Sequence, residues 1–393
     1  MHLTCYNLAT ITLPPVASDS QMLSISRDKA MELANLVLIA AKHYEEFRER
    51  MNMGTHHEWS FPEFIDGSTE RNFDQNKPCY DPLSGQGTRY RVLKQFWHTD
   101  RPMSSALLET VPFGFIVEKI SEVQLDSSTN QEIYIVFRGT LNSQEWRSNS
   151  RYRKEQAVKG LEGEGHVHHG FNSIFETSFK QRLVSLRGFV TRLAIFVRLK
   201  KYPPSERLDS IRRSLESTVF NSEIVKDNAR IYITGHSLGG ALALLAGRVI
   251  ANEGRLCTAE GREGDTNPYS ERLAICSFGS PRTGDVGFTK AFEDINVVRY
   301  VNSEDIVPAV PPATSKLLGK DMSFTPEGLR VSKAQGVKSF VNTYQATAGA
   351  GEGDGRYPFT HLGEQRTFTD SRDSISYNHN LQEAYRDGIL KCS

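Results

Sequence analysis

A serine flanked by two glycines is the part of this sequence best suited to chemistry. It stands in the run Gly235-His236-Ser237-Leu238-Gly239, between a β-branched and aromatic run at 231–234 and a helix-forming run that starts at Gly240. A serine hydroxyl is a weak nucleophile, so it must be exposed at a sharp turn where a base can reach it. Such a turn strains the serine backbone and leaves no space for flanking side chains, which explains the glycines. The alternative is a glycine-rich turn with a bystander serine.

A nucleophilic serine also needs a base, an acid that orients the base, and donors for an oxyanion. A predicted strand at 297–301 is followed by Glu304 and Asp305, and the chemistry alone allows either carboxylate to be the acid. Beyond them the chain has two histidines, His361 and His379, as candidate bases. A helix that begins near Leu238 would direct its free N–H groups at charge developing beside the serine.

The elements that must position these residues alternate between strands and helices. Hydrophobic patterning predicts strands at 113–119, 133–137, 230–234, 273–278 and 297–301, and helices at about 26–51, 171–199, 205–220, 238–252 and 378–390, with irregular chain at 52–105. This alternation indicates an α/β fold with a mostly parallel central sheet flanked by helices.

Composition excludes several classes of protein. Lys plus Arg equals Asp plus Glu, at 47 each, so no global charge favours nucleic acid or an acidic membrane. The five cysteines fit neither a metal site nor a disulfide framework, and we expect no metal and no cofactor. The sequence predicts no signal peptide and no transmembrane segment, and a cytoplasmic location is expected.

Four separated segments resemble the class 3, or fungal-type, lipases of the α/β-hydrolase superfamily. They are Val136–Thr140, Thr234–Ala243, Ser277–Gly284 and Asn302–Pro312, joined by the His-x-Gly-Phe run at 168–171. The order and approximate spacing match from about residue 110 to 385. The resemblance implies an N-terminal extension at 1–75, with its long helix at about 26–51, followed by an α/β-hydrolase domain at 76–393.

The resemblance also assigns roles to residues. It implies that Ser237 is the nucleophile, that Asp305 is the acid because it directly precedes Ile-Val-Pro, and that His379 is the base rather than His361. The oxyanion donors would be the backbone N–H groups of Leu238 and Thr140.

The segment after Thr140 is where this family carries a lid, and Trp146 matches an aromatic residue common there. The rest of 141–154 is polar and basic, which predicts weak activation at lipid interfaces and only transient contact with them. The resemblance implies a serine hydrolase that cleaves carboxylic esters of lipids, either acylglycerols or the acyl esters of phospholipids or galactolipids. Two alternatives stay open: a thioesterase or small-ester esterase, and a non-catalytic lipid-binding protein.

Overall fold

The computed structural model describes residues 22–55, 59, 61–66, 89–100, 109–120, 130–140, 154–156, 165–178, 181, 207–259, 269–310, 359–371 and 374–392 of the chain. Twelve strands and seven α-helices lie within these ranges. The domain boundary predicted between residues 75 and 76 lies outside them, so that division of the chain stays a prediction.

The strands form two sheets. Their bounds are β1 (Phe64–Asp66), β2 (Arg89–Asp100), β3 (Glu109–Ile120), β4 (Glu132–Phe137), β5 (Lys154–Gln156), β6 (His166–His168), β7 (Arg230–His236), β8 (Leu273–Phe278), β9 (Gly284–Asp285), β10 (Asn296–Asn302), β11 (Phe359–Thr360) and β12 (Glu364–Phe368). The larger sheet has the order β1-β2-β3-β4-β7-β8-β10-β12, and the smaller sheet has the order β11-β9-β6-β5.

The half of the larger sheet from β4 to β12 carries the predicted site residues. Neighbouring strands from β4 onwards are parallel, whereas those from β1 to β4 are antiparallel. Parallel strands end at one edge of a sheet, and loops that leave this edge form sites in α/β folds. The chain segments that follow β4, β7 and β10 therefore meet at the same edge. This arrangement confirms the predicted α/β architecture.

Helices cover both faces of this sheet. Their bounds are α1 (Arg27–Asn52), α2 (His169–Glu176), α3 (Ile211–Val219), α4 (Leu238–Ala259), α5 (Val286–Thr289), α6 (Ile375–Asn378) and α7 (Arg386–Lys391). One core lies between the sheet and α2, α3 and α4, and a second lies between the sheet and α1 with the C-terminal turns. In β4, Ile133 and Ile135 belong to the first core, and Tyr134 and Val136 belong to the second. Successive side chains of a strand alternate between faces, so β4 is buried on both sides.

Polar contacts tie α1 to the sheet. Ser26 caps the helix by accepting the N–H of Lys29, and Glu32 accepts hydrogen bonds from Tyr90 and Lys119 at 2.7 Å each. Burial opposes ionisation of Glu32, but the adjacent Lys29 and Lys119 outweigh it and hold the pKa of this carboxyl below its usual value. These paired charges fix α1 on the sheet. Tyr44 lies on the same helix and is buried.

Three of the secondary-structure predictions are wrong, including the terminal helix predicted over 378–390, which is interrupted at Asn380. The continuous helix predicted over 171–199 is interrupted, because α2 ends at Glu176 and Thr177 adopts an extended backbone. Gln181 is helical again, and residues 182–199 lie outside the described residues. The region predicted as irregular at 52–105 contains β1 and the long strand β2. Register shifts in β2 between Val92 and Lys94, and between Phe96 and Trp97, break the alternation on which strand prediction depends. The five strands predicted from patterning are confirmed as β3, β4, β7, β8 and β10. Among the residues described, no helix is long and apolar enough to cross a membrane.

Candidate active site

Ser237 lies at the sharp turn between β7 and α4. Its φ is +56°, and it is the only residue other than glycine with a positive φ in the described part of the chain. The N–H of Ser237 donates to the carbonyl of Phe278 on β8 at 2.9 Å, and its own carbonyl accepts from Gly240 at 2.9 Å. A non-glycine residue in this conformation costs about 1–3 kcal/mol and persists only where its surroundings impose it. The predicted strand–serine–helix turn is therefore present and strained, but Ser237 is 0% exposed, so the exposure predicted for it is not observed.

The two glycines beside Ser237 are required by close backbone approach. A Cβ on Gly235 would collide with the carbonyl oxygen of Gly239 in the first turn of α4. A Cβ on Gly239 would lie 2.6 Å from the carbonyl oxygen of Phe137 at the end of β4. The helix and the neighbouring strand thus leave no space for side chains at these positions, as the sequence predicts.

Asp305 and His379 form a hydrogen-bonded pair. Nδ1 of His379 lies 2.6 Å from Oδ2 of Asp305. The Asp305 side chain is fully buried, whereas the His379 side chain is 15% exposed. Asp305 follows β10 and His379 follows α6, so the pair joins two segments that are 74 residues apart in sequence. The bond to Nδ1 leaves Nε2 of His379 available to exchange a proton with a substrate or a nucleophile.

Tyr385 is a second partner of the same carboxylate that sequence reasoning missed. Its hydroxyl donates to Oδ2 of Asp305 at 2.6 Å and accepts from the N–H of Asn302 at 3.3 Å. Since the hydroxyl accepts a backbone N–H, its single proton is directed at Asp305. Burial, followed by the adjacent charge of Asp305, raises the pKa of Tyr385 well above its usual value, so the hydroxyl stays a donor. With the N–H of Val307 on Oδ1 at 2.9 Å, three donors hold the Asp305 carboxylate in place.

Asn302 also fixes this region and was not singled out from the sequence. Its side-chain amide donates to the carbonyls of Asp370 at 2.8 Å and Asn378 at 3.0 Å. Its side-chain oxygen accepts from the N–H groups of Glu304 at 3.3 Å and Asp370 at 3.0 Å. Asn302 therefore ties the loop that carries Asp305 to the segment that precedes His379. An asparagine at the end of a buried strand is the signal that could have identified it.

The other candidate base, His361, and the other candidate acid, Glu304, make different contacts. Nε2 of His361 donates to the carbonyl of Pro308 at 2.7 Å. Burial, followed by the charges of Arg299 and Arg282, holds the pKa of His361 well below its usual value. Glu304 contributes its backbone N–H and carbonyl to the bonds with Asn302 and Asn378. The geometry therefore favours Asp305 and His379 over Glu304 and His361.

His236 packs against the ring of His379. Its ring centroid lies 4.5 Å from that of His379, and its Nε2 donates to the backbone carbonyl of His379 at 2.8 Å. Burial, followed by the adjacent His379, holds the pKa of His236 well below its usual value, so the ring is neutral. A neutral hydrogen-bonding ring indicates that His236 packs beside Ser237 and does not exchange protons.

The two predicted oxyanion donors flank Ser237. Leu238 is the first residue of α4, and the first N–H groups of a helix have no acceptor within it. Thr140 follows β4 and is preceded by Gly139, where an added Cβ would lie 2.8 Å from Nδ1 of His236 and 3.4 Å from Cβ of Ser237. The segment that carries the N–H of Thr140 therefore runs directly beside the nucleophile turn.

Three buried polar atoms of this site have no hydrogen-bond partner among the described residues. They are Oγ of Ser237, Nε2 of His379 and Oγ1 of Thr140. An unpaired buried polar atom costs about 1–3 kcal/mol. Such atoms also occur away from this site, at Thr234 and Ser277 for example, so the geometry described above, and not the missing partners, distinguishes this site. A hydroxyl, an imidazole nitrogen positioned by a carboxylate, and backbone donors are the groups that acyl transfer requires.

The remaining histidines of the described residues form no metal centre. No group of three or more His, Cys, Asp or Glu side chains in the described ranges is arranged to hold a metal ion. His168 is the N-cap of α2, where its Nδ1 accepts the N–H of Gly170 at 3.1 Å. Burial lowers the pKa of His168 to about 3, so the ring is neutral. His166 instead contacts Asp285 at 3.1 Å. The predicted lid residue Trp146 lies outside the described residues.

In a comparison with known protein families, one family model matches a range that contains most residues of this site. The family model described as Lipase (class 3) matches residues 134–315. This range includes Thr140, Ser237, Leu238 and Asp305, whereas His379 lies beyond it.

Three curated relatives are similar to parts of the chain. A Caenorhabditis elegans lipase is 35% identical over 101 residues, covering 25% of this chain and 24% of the relative. Phospholipase A1-II 7 of Oryza sativa subsp. indica is 28% identical, covering 46% and 42%. The chloroplastic phospholipase A1-Igamma2 of Arabidopsis thaliana is 27% identical, covering 50% and 34%. The chain thus spans less than half the length of each of these relatives.

Among solved structures, the native propeptide complex of Rhizomucor miehei lipase is 17% identical, with a TM-score of 0.38 over 91% of this chain and 78% of that chain. Lipase II from Rhizopus niveus is 21% identical, with a TM-score of 0.33 over 73% and 76%.

Proposed function

We propose that this chain, which carries a class 3 lipase domain, hydrolyses carboxylic esters of lipids through an acyl-enzyme on Ser237. The family match confirms the resemblance predicted from the sequence motifs. The observation that carries the proposal is the combination of a strained serine between β7 and α4 with the 2.6 Å pair of Asp305 and His379. A lone glycine-rich turn would need neither the strain nor the buried pair.

In the first half of the proposed reaction, Nε2 of His379 takes the proton of the Ser237 hydroxyl. The Ser237 oxygen then forms a bond to the ester carbonyl carbon, and the carbonyl π electrons move to its oxygen. The N–H groups of Leu238 and Thr140 stabilise this oxyanion. Asp305 stabilises the imidazolium that forms on His379 without taking its proton.

The second half returns the enzyme to its starting state. When the oxyanion collapses, the bond to the alcohol oxygen breaks, and Nε2 of His379 gives its proton to that oxygen. The acyl group remains bonded to Ser237. His379 then takes a proton from water, whose oxygen attacks the acyl carbon, and the fatty acid leaves as Ser237 regains a proton.

The proposed substrate is an acyl ester of a glycerolipid, either an acylglycerol or a phospholipid or galactolipid. The rice and Arabidopsis relatives carry the name phospholipase A1, and the Caenorhabditis relative carries the name lipase, which supports this class. The partner would be a lipid surface contacted transiently. A cytoplasmic location remains part of the proposal and rests on the cysteine pattern alone.

The test compares Ser237→Ala with Ser277→Ala on a p-nitrophenyl ester, on a phospholipid and on a triacylglycerol. Ser277 is a matched control, because its buried hydroxyl also has no hydrogen-bond partner among the described residues and it lies beside Gly235 in the sheet. Ser237→Ala should lose activity by orders of magnitude while the fold is retained. Ser277→Ala should keep activity.

A fluorophosphonate probe separates the remaining alternatives. It should label the wild type and the Ser277→Ala variant but not Ser237→Ala, since only an activated serine reacts. Absence of labelling on the folded wild type would favour a non-catalytic lipid-binding protein. Labelling combined with preference for thioesters or water-soluble esters would favour the other hydrolase classes.

A further inference from the structure

Arg138 is a buried cation directly before Gly139 and Thr140, and Thr140 carries one of the proposed oxyanion donors. The sequence alone assigns Arg138 no role in the reaction. Its side chain is 1% exposed. Nη1 donates to the carbonyl of Gly139 at 2.8 Å, and Nε donates to the carbonyl of Pro112 at 2.9 Å. A buried charge is costly unless it is held by good hydrogen bonds, so its retention here calls for a reason.

The bond to the Gly139 carbonyl matters because of the peptide to which that carbonyl belongs. The carbonyl of Gly139 and the N–H of Thr140 are the two polar groups of one peptide unit. In a trans peptide these groups lie in one plane and point in opposite directions. A donor fixed on the Gly139 oxygen therefore fixes the direction of the Thr140 N–H. Because the donor is cationic, it also withdraws electron density from the carbonyl and strengthens the N–H as a donor.

The guanidinium is itself held between two aromatic rings. Cζ of Arg138 lies 3.6 Å from the ring centroid of Tyr44 and 4.4 Å from that of Phe113. Phe113 belongs to β3, whereas Tyr44 belongs to α1, 95 residues before Gly139 in the sequence. The N-terminal helix therefore contacts the group that orients Thr140.

We propose that Arg138, clamped by Tyr44 of the N-terminal helix, is a positioning residue that orients and polarises the Thr140 N–H for the oxyanion. This inference rests on the proposed ester hydrolysis. It gives α1 a function in addition to covering the sheet. Loss of the contact between Tyr44 and Arg138 should reduce stabilisation of the transition state and leave substrate binding unchanged.

The experiment uses two variants with matched controls in the full chain. Arg138→Gln removes the charge, and Arg248→Gln is its control, since Arg248 is also 1% exposed but lies in the middle of the long α4 helix. Tyr44→Leu removes the ring from the guanidinium. Phe47→Leu is its control, because Phe47 lies on the same helix and in the same aromatic cluster but packs near Arg207.

Steady-state kinetics on a p-nitrophenyl ester give kcat and KM separately. Loss of a whole oxyanion donor costs about 10²–10³ in kcat, so misorientation of one donor should cost about 10–100-fold in Arg138→Gln and about 3–10-fold in Tyr44→Leu. KM should change by less than about twofold in both, since the contact acts on the transition state. The control variants should lose thermal stability but keep kcat.

Inhibition by a trifluoromethyl ketone gives a readout that a purely structural role would not move. The ketone forms a hemiketal oxyanion on the serine, so its affinity should fall by the same factor as kcat, whereas the affinity of the matching amide should not. Folded Arg138→Gln or Tyr44→Leu protein with wild-type kcat and ketone affinity would overturn this inference. If Arg138→Gln does not fold, Tyr44→Leu decides. Failure of the proposed function is distinct, because it would appear as an inactive wild type or an active Ser237→Ala variant.

Discussion

Tyr385→Phe tests whether the Tyr385 hydroxyl, which bonds Oδ2 of Asp305, changes the proton affinity of the Asp305–His379 pair. The substitution deletes one atom, a buried donor 2.6 Å from Oδ2 of Asp305, and leaves the ring and its packing in place. A hydrogen bond to a charged group contributes about 1.5–3 kcal/mol, and the N–H of Asn302 also loses its acceptor. We expect the free energy of unfolding to fall by ~2–4 kcal/mol.

The same substitution should change the pH dependence of the reaction in one direction. Tyr385 and His379 donate to the same carboxylate oxygen. Without the phenol, more of the negative charge of Asp305 acts on His379, which stabilises the protonated form of the base. The acid limb of the pH profile of kcat/KM should therefore move to higher pH. Because the bond between Asp305 and His379 survives, kcat at the optimum should fall by only about tenfold or less.

The assays are urea denaturation and kcat/KM measured from pH 4 to 9, with Tyr300→Phe as the control. The Tyr300 hydroxyl is bonded to Arg366 at 3.1 Å, so its removal also costs a bond to a charged group but does not touch the acid–base pair. The control should lose stability with an unchanged pH profile. A Tyr385→Phe profile that superimposes on the wild type, or that moves to lower pH, would show that the Tyr385 hydroxyl does not reduce the effect of the Asp305 charge on His379.

Three further predictions concern the serine and the histidines. His379→Ala should lose about 10⁴-fold or more in kcat, as triad members act as a unit, whereas His361→Ala should lose much less; reversed phenotypes would make His361 the base. Ser237→Gly should be inactive in ester hydrolysis yet more stable to urea by about 1 kcal/mol, because glycine adopts a φ of +56° without strain; equal or lower stability would contradict the strain argument. Burial lowers the pKa of His168 from 6.5 to about 3, so between these values the unfolded chain binds the extra proton and stability falls with falling pH. His168→Gln should remove about 1.4 kcal/mol per pH unit from that slope in urea titrations, and an unchanged slope would show that His168 is charged in the folded state.

The nucleophile turn could be predicted from the sequence because its constraints are local. Gly235 and Gly239 are needed by backbone atoms within four residues of Ser237 or on the adjacent strand. The strands β7 and β8 are buried on both faces and consist mostly of apolar residues, so their composition identifies them without knowledge of their neighbours. The residues that impose this turn are close together in the sequence, so the sequence alone predicts it, and the structure contains it.

The acid and the base could not be chosen from residue chemistry alone. Asp305 and Glu304 are adjacent, and both follow β10, so only the direction of each side chain separates them. That direction is set by the bonds of Asn302, which link the strand end to segments near residues 370 and 378. The sequence contains no local trace of these long-range contacts, which is why the family resemblance had to make the choice.

Tyr385 escaped prediction because the chain departs from regular helical geometry after His379. The terminal helix predicted over 378–390 is interrupted at Asn380, whose side chain caps a π-helical turn at Leu381–Tyr385. In this turn the N–H of Tyr385 bonds to the carbonyl five residues earlier, at 3.2 Å. A π turn holds one more residue than an α turn, so every later side chain is rotated relative to the 3.6-residue pattern. The aromatic side chain that the regular pattern would direct elsewhere is thereby brought to Oδ2 of Asp305, which ties the phenol and the base to the same carboxylate.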